Sequence, residues 1–228
     1  MKKLILLFAV AFNLNSNEFL TGSLVDYSGL IKMPNARFNN EGKVSFNYSR
    51  YDPYGKYVFQ FSPYDWFEGA LFYTDINSLG YPDFERGPGG MQSQKDKGFS
   101  LKARLFKEGE CYGLDYAFCE YLPNVAVGLV DFAGTSLTAS EYVVASKSFG
   151  RFDLTAGLGW GALGSTDNIG GNPLSILTDK FDQRGSGYSL GLMGGVPGVS
   201  TWFRGTTSVF GGVEYVIPKA RFYPVNSK

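Results

Sequence analysis

Residues 99–106 read FSLKARLF, and their regular alternation is the clearest signal of the fold in the sequence. In an extended chain, successive side chains point to opposite faces. One face of the stretch therefore carries apolar side chains, and the other carries small or charged ones. The apolar set is Phe99, Leu101, Ala103 and Leu105, and the opposite set is Ser100, Lys102 and Arg104. Such strict alternation predicts a β-strand that separates an apolar environment from a polar one.

The same alternation recurs along the rest of the chain from residue 43 onward. The further predicted strands are residues 43–51, 56–62, 67–76, 125–132, 141–148, 151–160 and 209–217. This makes about eight strands, with lengths close to the roughly 9 to 11 residues that cross a bilayer at a tilt. Turn-like compositions at 52–55, 63–66 and 149–151 contrast with long connections at 77–97, 107–122 and 161–207. Short turns combined with long loops are typical of outer-membrane barrels.

The composition excludes several classes of function. The 228 residues carry 21 Lys+Arg and 21 Asp+Glu, so the net charge is zero and nucleic acid is not expected as a partner. The chain contains no His, which excludes Ser-His-Asp triads, histidine general bases and histidine-ligated metals. We therefore expect a protein that is not an enzyme and that uses no cofactor or metal.

The N-terminus reads MKKLILLFAVAF, in which two lysines precede an apolar run of nine residues. A short basic region followed by such a run is typical of a secretory signal peptide. The run is shorter than the roughly 20 residues that a helix needs to cross a bilayer. The sequence thus predicts a signal peptide over residues 1–16, an extended, plug-like segment over 17–42 and a β-barrel domain over 43–228.

Cys111 and Cys119 are the only cysteines, and both lie in an acidic loop between two predicted strands. An oxidising compartment would allow them to form a disulfide that closes this loop. The spacing alone leaves their state open.

Charged residues within the predicted strands are the candidates for the polar lining of a hydrated lumen. They are Glu68, Lys102, Arg104, Glu141, Lys147, Asp153 and Glu214. A pair of carboxylates would also suffice for glycoside hydrolysis, but no spacing selects a pair among Glu68, Asp75, Asp131, Glu141 and Glu214. The glycine-rich residues 157–164 lack the following helix that a dinucleotide site requires.

Aromatic residues cluster near the ends of the predicted strands. Among them are Tyr48, Tyr51, Tyr57, Trp66, Tyr73 and Trp160. They favour a girdle at a membrane boundary or packing within a core, and stacking on sugars is the other interpretation.

Several stretches resemble the YjbH-like family of outer-membrane proteins of exopolysaccharide and capsule biosynthesis. They are YSGLIKMPNARFNNEG at 27–42, SPYDWFEGALFYTDI at 62–76, KGFSLKARLFKE at 97–108, the whole of 122–164, and FRG with VFGGVEY between 203 and 215. The resemblance covers most of the chain, but only the N-terminal part of the longer family members. It implies a barrel in the outer membrane of a Gram-negative bacterium with a part in polysaccharide production or export, and it brings no catalytic residues.

The sequence therefore predicts an all-β protein, an antiparallel up-and-down transmembrane β-barrel that is closed on its own or is part of a larger barrel. Its expected partners are outer-membrane lipid, the polysaccharide and other envelope proteins of the capsule or exopolysaccharide pathway. The alternative is a soluble periplasmic β-sandwich that binds carbohydrate. The two hypotheses differ in where the apolar faces lie, because a sandwich buries them and a membrane protein exposes them.

Overall fold

A computed structural model of the chain describes Ser23 and residues 29–80, 92–113, 119–185 and 199–217. The predicted signal peptide and much of the segment 17–42 lie outside these residues. The strands are β1 (Gly29–Leu30), β2 (Met33–Pro34), β3 (Lys43–Tyr51), β4 (Tyr54–Tyr64), β5 (Phe67–Gly80), β6 (Ser93–Phe106), β7 (Asn124–Val130), β8 (Ser140–Phe149), β9 (Phe152–Gly161) and β10 (Thr207–Tyr215). Short 3-10 helices occur at Pro173–Ile176, Asp179–Phe181 and Val199–Thr201. Within the described ranges, no helix is long and apolar enough to cross a membrane.

Strands β3 to β10 form one eight-stranded antiparallel sheet in which every strand pairs with its neighbours in the sequence. This arrangement confirms the predicted all-β class and the up-and-down strand order. In the described part of the chain, β3 and β10 are the two edges of the sheet and do not pair with each other. The sheet is therefore open, and of the two expected forms the barrel closed by these eight strands alone is not present.

The two faces of the sheet differ as the alternation predicts. The buried face combines charged and polar side chains with an apolar cluster that includes Val58, Phe72, Tyr142 and Val144. Among the described residues, polar and charged residues outnumber hydrophobic ones in the buried set. The opposite face exposes large hydrophobic side chains along most of the sheet, each 40% to 68% accessible to solvent. These include Val44, Phe46, Phe59, Leu71, Phe99, Leu154, Val209 and Val213.

Glycines within the sheet lie directly opposite aromatic residues on the neighbouring strand. The register pairs Gly69 with Phe61, Gly98 with Phe72, Gly128 with Tyr142 and Gly157 with Phe210. In each pair the aromatic ring occupies the space that a Cβ atom would take if the glycine were replaced by another residue. An aromatic ring that covers a cross-strand glycine restores packing to a position that would otherwise weaken the strand. Such pairs account for part of the high glycine and aromatic content.

The strand ends fall into two groups. At one end, called end A, the connections are 65–66, 107–123 and 150–151; at the other, called end B, they are 52–53, 81–92, 131–139 and 162–206. Long connections are thus concentrated at end B, with one tight turn among them. End A contains the loop in which Cys111 and Cys119 are joined by a disulfide.

Candidate functional site

A segment of the chain before the first long strand lies on the buried, polar face of the sheet. This anchor segment comprises residues 33–40. The backbone N–H of Ala36 donates to Ser146 Oγ of β8 at 2.9 Å, and that of Asn39 donates to Glu68 Oε1 of β5 at 2.6 Å. Ala36 is completely buried. The segment therefore crosses the polar face from β8 to β5.

The hairpin β1–β2, whose second strand begins the anchor segment, reaches both edges of the open sheet. The ammonium group of Lys32 lies 4.3 Å from the centre of the Tyr51 ring on β3. On β10, a methyl group added to Gly212 would lie 2.6 Å from Cδ1 of Leu30. The absence of a side chain at Gly212 thus leaves room for the hairpin. N-terminal residues consequently occupy the polar side of the sheet between its two edges.

Arg37 connects the anchor segment to two further elements. Its guanidinium group holds the Asp153 carboxylate of β9 with two parallel hydrogen bonds, from Nε at 2.9 Å and from Nη2. Its Nη1 donates to Glu108 Oε2 at 2.7 Å. Burial alone lowers the pKa of Arg37, but the hydrogen bonds to Asp153 and Glu108 outweigh it and raise the pKa above its ordinary value. Arg37 therefore remains a cation that holds two carboxylates.

Lys102 and Glu68 form an ion pair on the polar face, near end A of β5 and β6. Both side chains are completely inaccessible to solvent, and Nζ lies 2.8 Å from Oε2. The same Nζ donates to the Arg37 carbonyl at 2.6 Å and lies 4.4 Å from the centre of the Phe38 ring. Buried charges are costly unless they are paired and hydrogen-bonded. Both conditions are met here because the anchor segment supplies additional partners.

Glu108 fastens the disulfide loop of end A to the same site. Its Oε1 accepts hydrogen bonds from the backbone N–H of Ser148 at 3.1 Å and from the Ser148 hydroxyl at 2.9 Å. Lys147 Nζ lies 3.1 Å from this oxygen. Burial alone would raise the pKa of Glu108, but the hydrogen bonds from Arg37, Ser148 and Lys147 hold it below its ordinary value. Glu108 was not among the sequence candidates because it lies outside the strands, where alternation gives no signal.

The seven residues predicted to line a lumen divide between the two faces. Residues paired directly across an antiparallel sheet share a face. The register places five of them on the polar, buried face: Glu68, Lys102, Arg104, Asp153 and Glu214. The remaining two, Glu141 and Lys147, lie on the opposite face, where they pair with Trp160 and Leu154. Their charge predicts a place in the lumen lining, but the alternation of β8 places both on the apolar face.

Glu141 and Trp160 are nevertheless buried, because a loop of end B covers them. This end-B loop comprises the described residues 162–185 and 199–206. Glu141 accepts from Arg184 Nη1 at 2.7 Å and Nη2 at 2.8 Å, and from the backbone N–H of Phe203 at 3.0 Å. Trp160 Nε1 donates to Asn172 Oδ1 at 3.1 Å. The position of Glu141 on the mainly apolar face of β8 was the available sequence signal for this cover.

The arrangement of charged groups serves to hold chain segments together. Four of the candidate acids take part in ion pairs: Glu68 with Lys102, Asp75 with Lys95, Asp153 with Arg37, and Glu141 with Arg184. Among the residues that the structure describes, no group of three or more acidic or cysteine side chains could hold a metal ion.

Comparison with known proteins identifies the relatives of this chain. Residues 23–223 match the sequence model of the YjbH family, described as exopolysaccharide biosynthesis protein. The chain is 42% identical over 190 residues to an Escherichia coli K12 protein named uncharacterized lipoprotein YjbH. The match covers 83% of this chain and 25% of that relative, so the chain spans about a quarter of its length. No solved structure matches. The chain belongs to the YjbH family of exopolysaccharide biosynthesis proteins.

Proposed function

We propose that this chain is a non-enzymatic outer-membrane component of exopolysaccharide or capsule production, whose sheet crosses the membrane as part of a β-barrel. The observation that carries the membrane assignment is the contrast between the two faces of the sheet. The polar face holds a solvent-inaccessible ion pair, Lys102 with Glu68, whereas the other face exposes large apolar side chains over most of its strands. Lipid is the solvent that such a face requires.

An apolar surface of this extent is unusual for a protein in water. The exposed residues run from Val44 on β3 to Val213 on β10 and come from every strand of the sheet except β7. Soluble monomers rarely expose contiguous apolar patches larger than a few hundred Å². The alternative, a soluble sandwich, needs a second large sheet packed over an apolar interior. The described strands form instead a single large sheet with a polar buried face, which favours the membrane interpretation.

The role in polymer production follows from family membership and from the position of the anchor segment. The family is one of exopolysaccharide biosynthesis proteins. Residues 33–40 cover the polar face and are fixed by Arg37 and by the Lys102–Glu68 pair. A polysaccharide chain could not pass along this face while the anchor segment is bound there. We therefore assign the chain a supporting part in the assembly or export of the polymer, together with other envelope proteins.

A substitution on the exposed face tests the membrane assignment. Leu154 is 44% exposed. Arginine at a position exposed to water would cost little stability, whereas arginine facing lipid is destabilising, by up to about 2 to 4 kcal/mol at the bilayer midplane and less toward the strand ends. We expect Leu154→Arg to prevent assembly into urea-washed outer membranes, with the matched control Leu154→Phe assembling normally. Assembled protein should change its gel mobility on boiling. Recovery of the unsubstituted chain in the soluble periplasmic fraction would refute the assignment.

A further inference from the structure

The end-B loop is held rigidly on the exposed face of the sheet. Asn172 is its central fastening point: it accepts from Trp160 Nε1 and donates through Nδ2 to the carbonyls of Phe181 and Phe203 at 2.9 Å each. Arg184 adds the two hydrogen bonds to Glu141. Both Trp160 and Glu141 belong to the face that exposes Leu154. The loop therefore covers the end-B margin of the apolar face.

Two neighbouring aliphatic residues of this loop point away from the protein. Ile176 is 91% and Leu177 is 76% accessible to solvent. They end the 3-10 helix Pro173–Ile176, whose N-cap is the same buried Asn172. Side chains this exposed leave their apolar surface in contact with water, and contact with lipid would remove it. Because the loop is fixed at Asn172, the two side chains are already positioned for contact and would lose little conformational freedom on binding.

We propose that Ile176 and Leu177 insert into the lipid at the membrane boundary on the end-B side. This inference rests on the proposed function, since it takes the exposed face of the sheet to lie in lipid. The loop that carries the two residues is hydrogen-bonded to that face at Trp160 and Glu141. Its polar contacts, Arg184 with Glu141, lie at the margin, where an interface tolerates charge. Apolar residues beside charged ones are typical of segments that bind at a membrane interface.

Spin labels at single introduced cysteines test this insertion. The native Cys111 and Cys119 are bonded to each other and do not take up the label under non-reducing conditions. The test variant is Ile176→Cys, with Leu177→Cys as a second one, in the chain reconstituted into dioleoylphosphatidylcholine vesicles. Leu154→Cys serves as the reference for the sheet face, and Glu41→Cys, in an exposed turn at end A, as the reference for water. Power saturation measures how accessible each label is to oxygen and to a water-soluble nickel chelate.

We expect the Ile176 and Leu177 labels to be several-fold more accessible to oxygen than to the nickel chelate, as at Leu154 and opposite to Glu41. Labels at Ile176 and Leu177 that match Glu41, while Leu154 remains in lipid, would overturn the insertion and leave the proposed function intact. Labels shielded from both reagents would indicate a protein contact and would also overturn it. A water-exposed label at Leu154 would instead refute the proposed function.

Discussion

Single glycines determine how closely the strands of this sheet pack. Gly128 lies opposite Tyr142, whose side chain is completely buried, and a methyl group at Gly128 would overlap the tyrosine ring. Gly69 lies opposite Phe61, which is partly exposed and can move aside. Overpacking a buried site costs about 1 to 3 kcal/mol. We expect Gly128→Ala to reduce the free energy of unfolding by this amount, and Gly69→Ala by clearly less, in urea titrations of protein in detergent micelles. Equal losses would contradict this account.

The Lys102–Glu68 pair allows a second prediction for individual residues. Removing one partner of a buried ion pair leaves an uncompensated charge and costs about 3 to 5 kcal/mol. Glu68→Gln and Lys102→Met should each destabilise the protein by this amount. The double variant Glu68→Gln with Lys102→Met removes both charges, so we expect it to be more stable than either single variant. The unfolding free energies of the wild type, the two single variants and the double variant together give the interaction energy. If the free energy of unfolding of the double variant falls by the sum of the two single losses, the residues do not act as a pair.

At the level of single residues, the sequence predicts the faces of most strands but not the contacts across them. Alternation in FSLKARLF correctly separates Lys102 from Leu101, because the two-residue period is contained in the strand itself. The glycine–aromatic pairs could not be predicted, since they depend on the register between strands. Glu141 and Lys147 were placed by their charge, and only the cover supplied by the end-B loop and by residues 107–123 explains how charged groups lie on the apolar face.

Among the elements, the junction between the anchor segment, the end-A loop and β8 depends on one carboxylate, Glu108. Because its pKa in the folded protein is below the ordinary value of 4.5, Glu108 stabilises the fold above about pH 4.5. This contribution is lost as the pH falls through the folded pKa, where the carboxylate becomes protonated. We expect the difference in unfolding free energy between the wild type and Glu108→Gln to be largest at pH 7 and to decrease progressively below pH 4.5.

Urea titrations at several pH values, followed by tryptophan fluorescence, measure this difference. Glu41→Gln is the control, because it makes the same change in net charge at an exposed turn. A difference between the wild type and Glu108→Gln that stays constant from pH 7 to pH 3 would exclude the ionised Glu108 as the source of the stabilisation.

The elements themselves were predictable to different degrees. Each predicted long strand corresponds to an observed one, because the strands carry their own periodicity. The position of residues 33–40 on the sheet was not predictable, because Ala36 bonds to Ser146 and Arg37 to Asp153 across more than a hundred residues of sequence. The end-B loop has no periodicity at all. Its fold depends on Asn172, whose amide joins three other parts of the chain.

For the whole molecule, the open sheet follows from what lies against its polar face. The interior of a closed eight-stranded barrel is just filled by the side chains of its own strands. Here the same face also accommodates a backbone segment with Ala36 and Phe38 buried, and the hairpin β1–β2 between the two edges. The room that this segment needs keeps β3 and β10 apart. Closure around it therefore requires more strands than the described sheet contains.

Within a bilayer, the edge strands β3 and β10 must pair with further strands, because lipid offers no hydrogen-bond partners for backbone N–H and C=O groups. On β10, the Asn168 side chain already occupies one edge position, since it accepts from the Val209 N–H at 2.8 Å and donates to the Val209 carbonyl at 2.9 Å. The edge beyond Val209 continues to Tyr215. We expect that in vesicles containing only this chain, β10 of one copy lies beside β3 of another.

Cross-linking distinguishes pairing between copies from closure within one chain. The test variant combines Tyr48→Cys on β3 with Val213→Cys on β10, treated with a short bismaleimide in vesicles. We expect products of two or more chains on a denaturing gel, because the anchor segment holds the two edges of one chain apart. As a control, Phe46→Cys with Phe59→Cys joins directly paired residues of β3 and β4 and should cross-link within one chain. A compact, internally cross-linked monomer from the Tyr48 and Val213 variant would show that eight strands close around the segment after all.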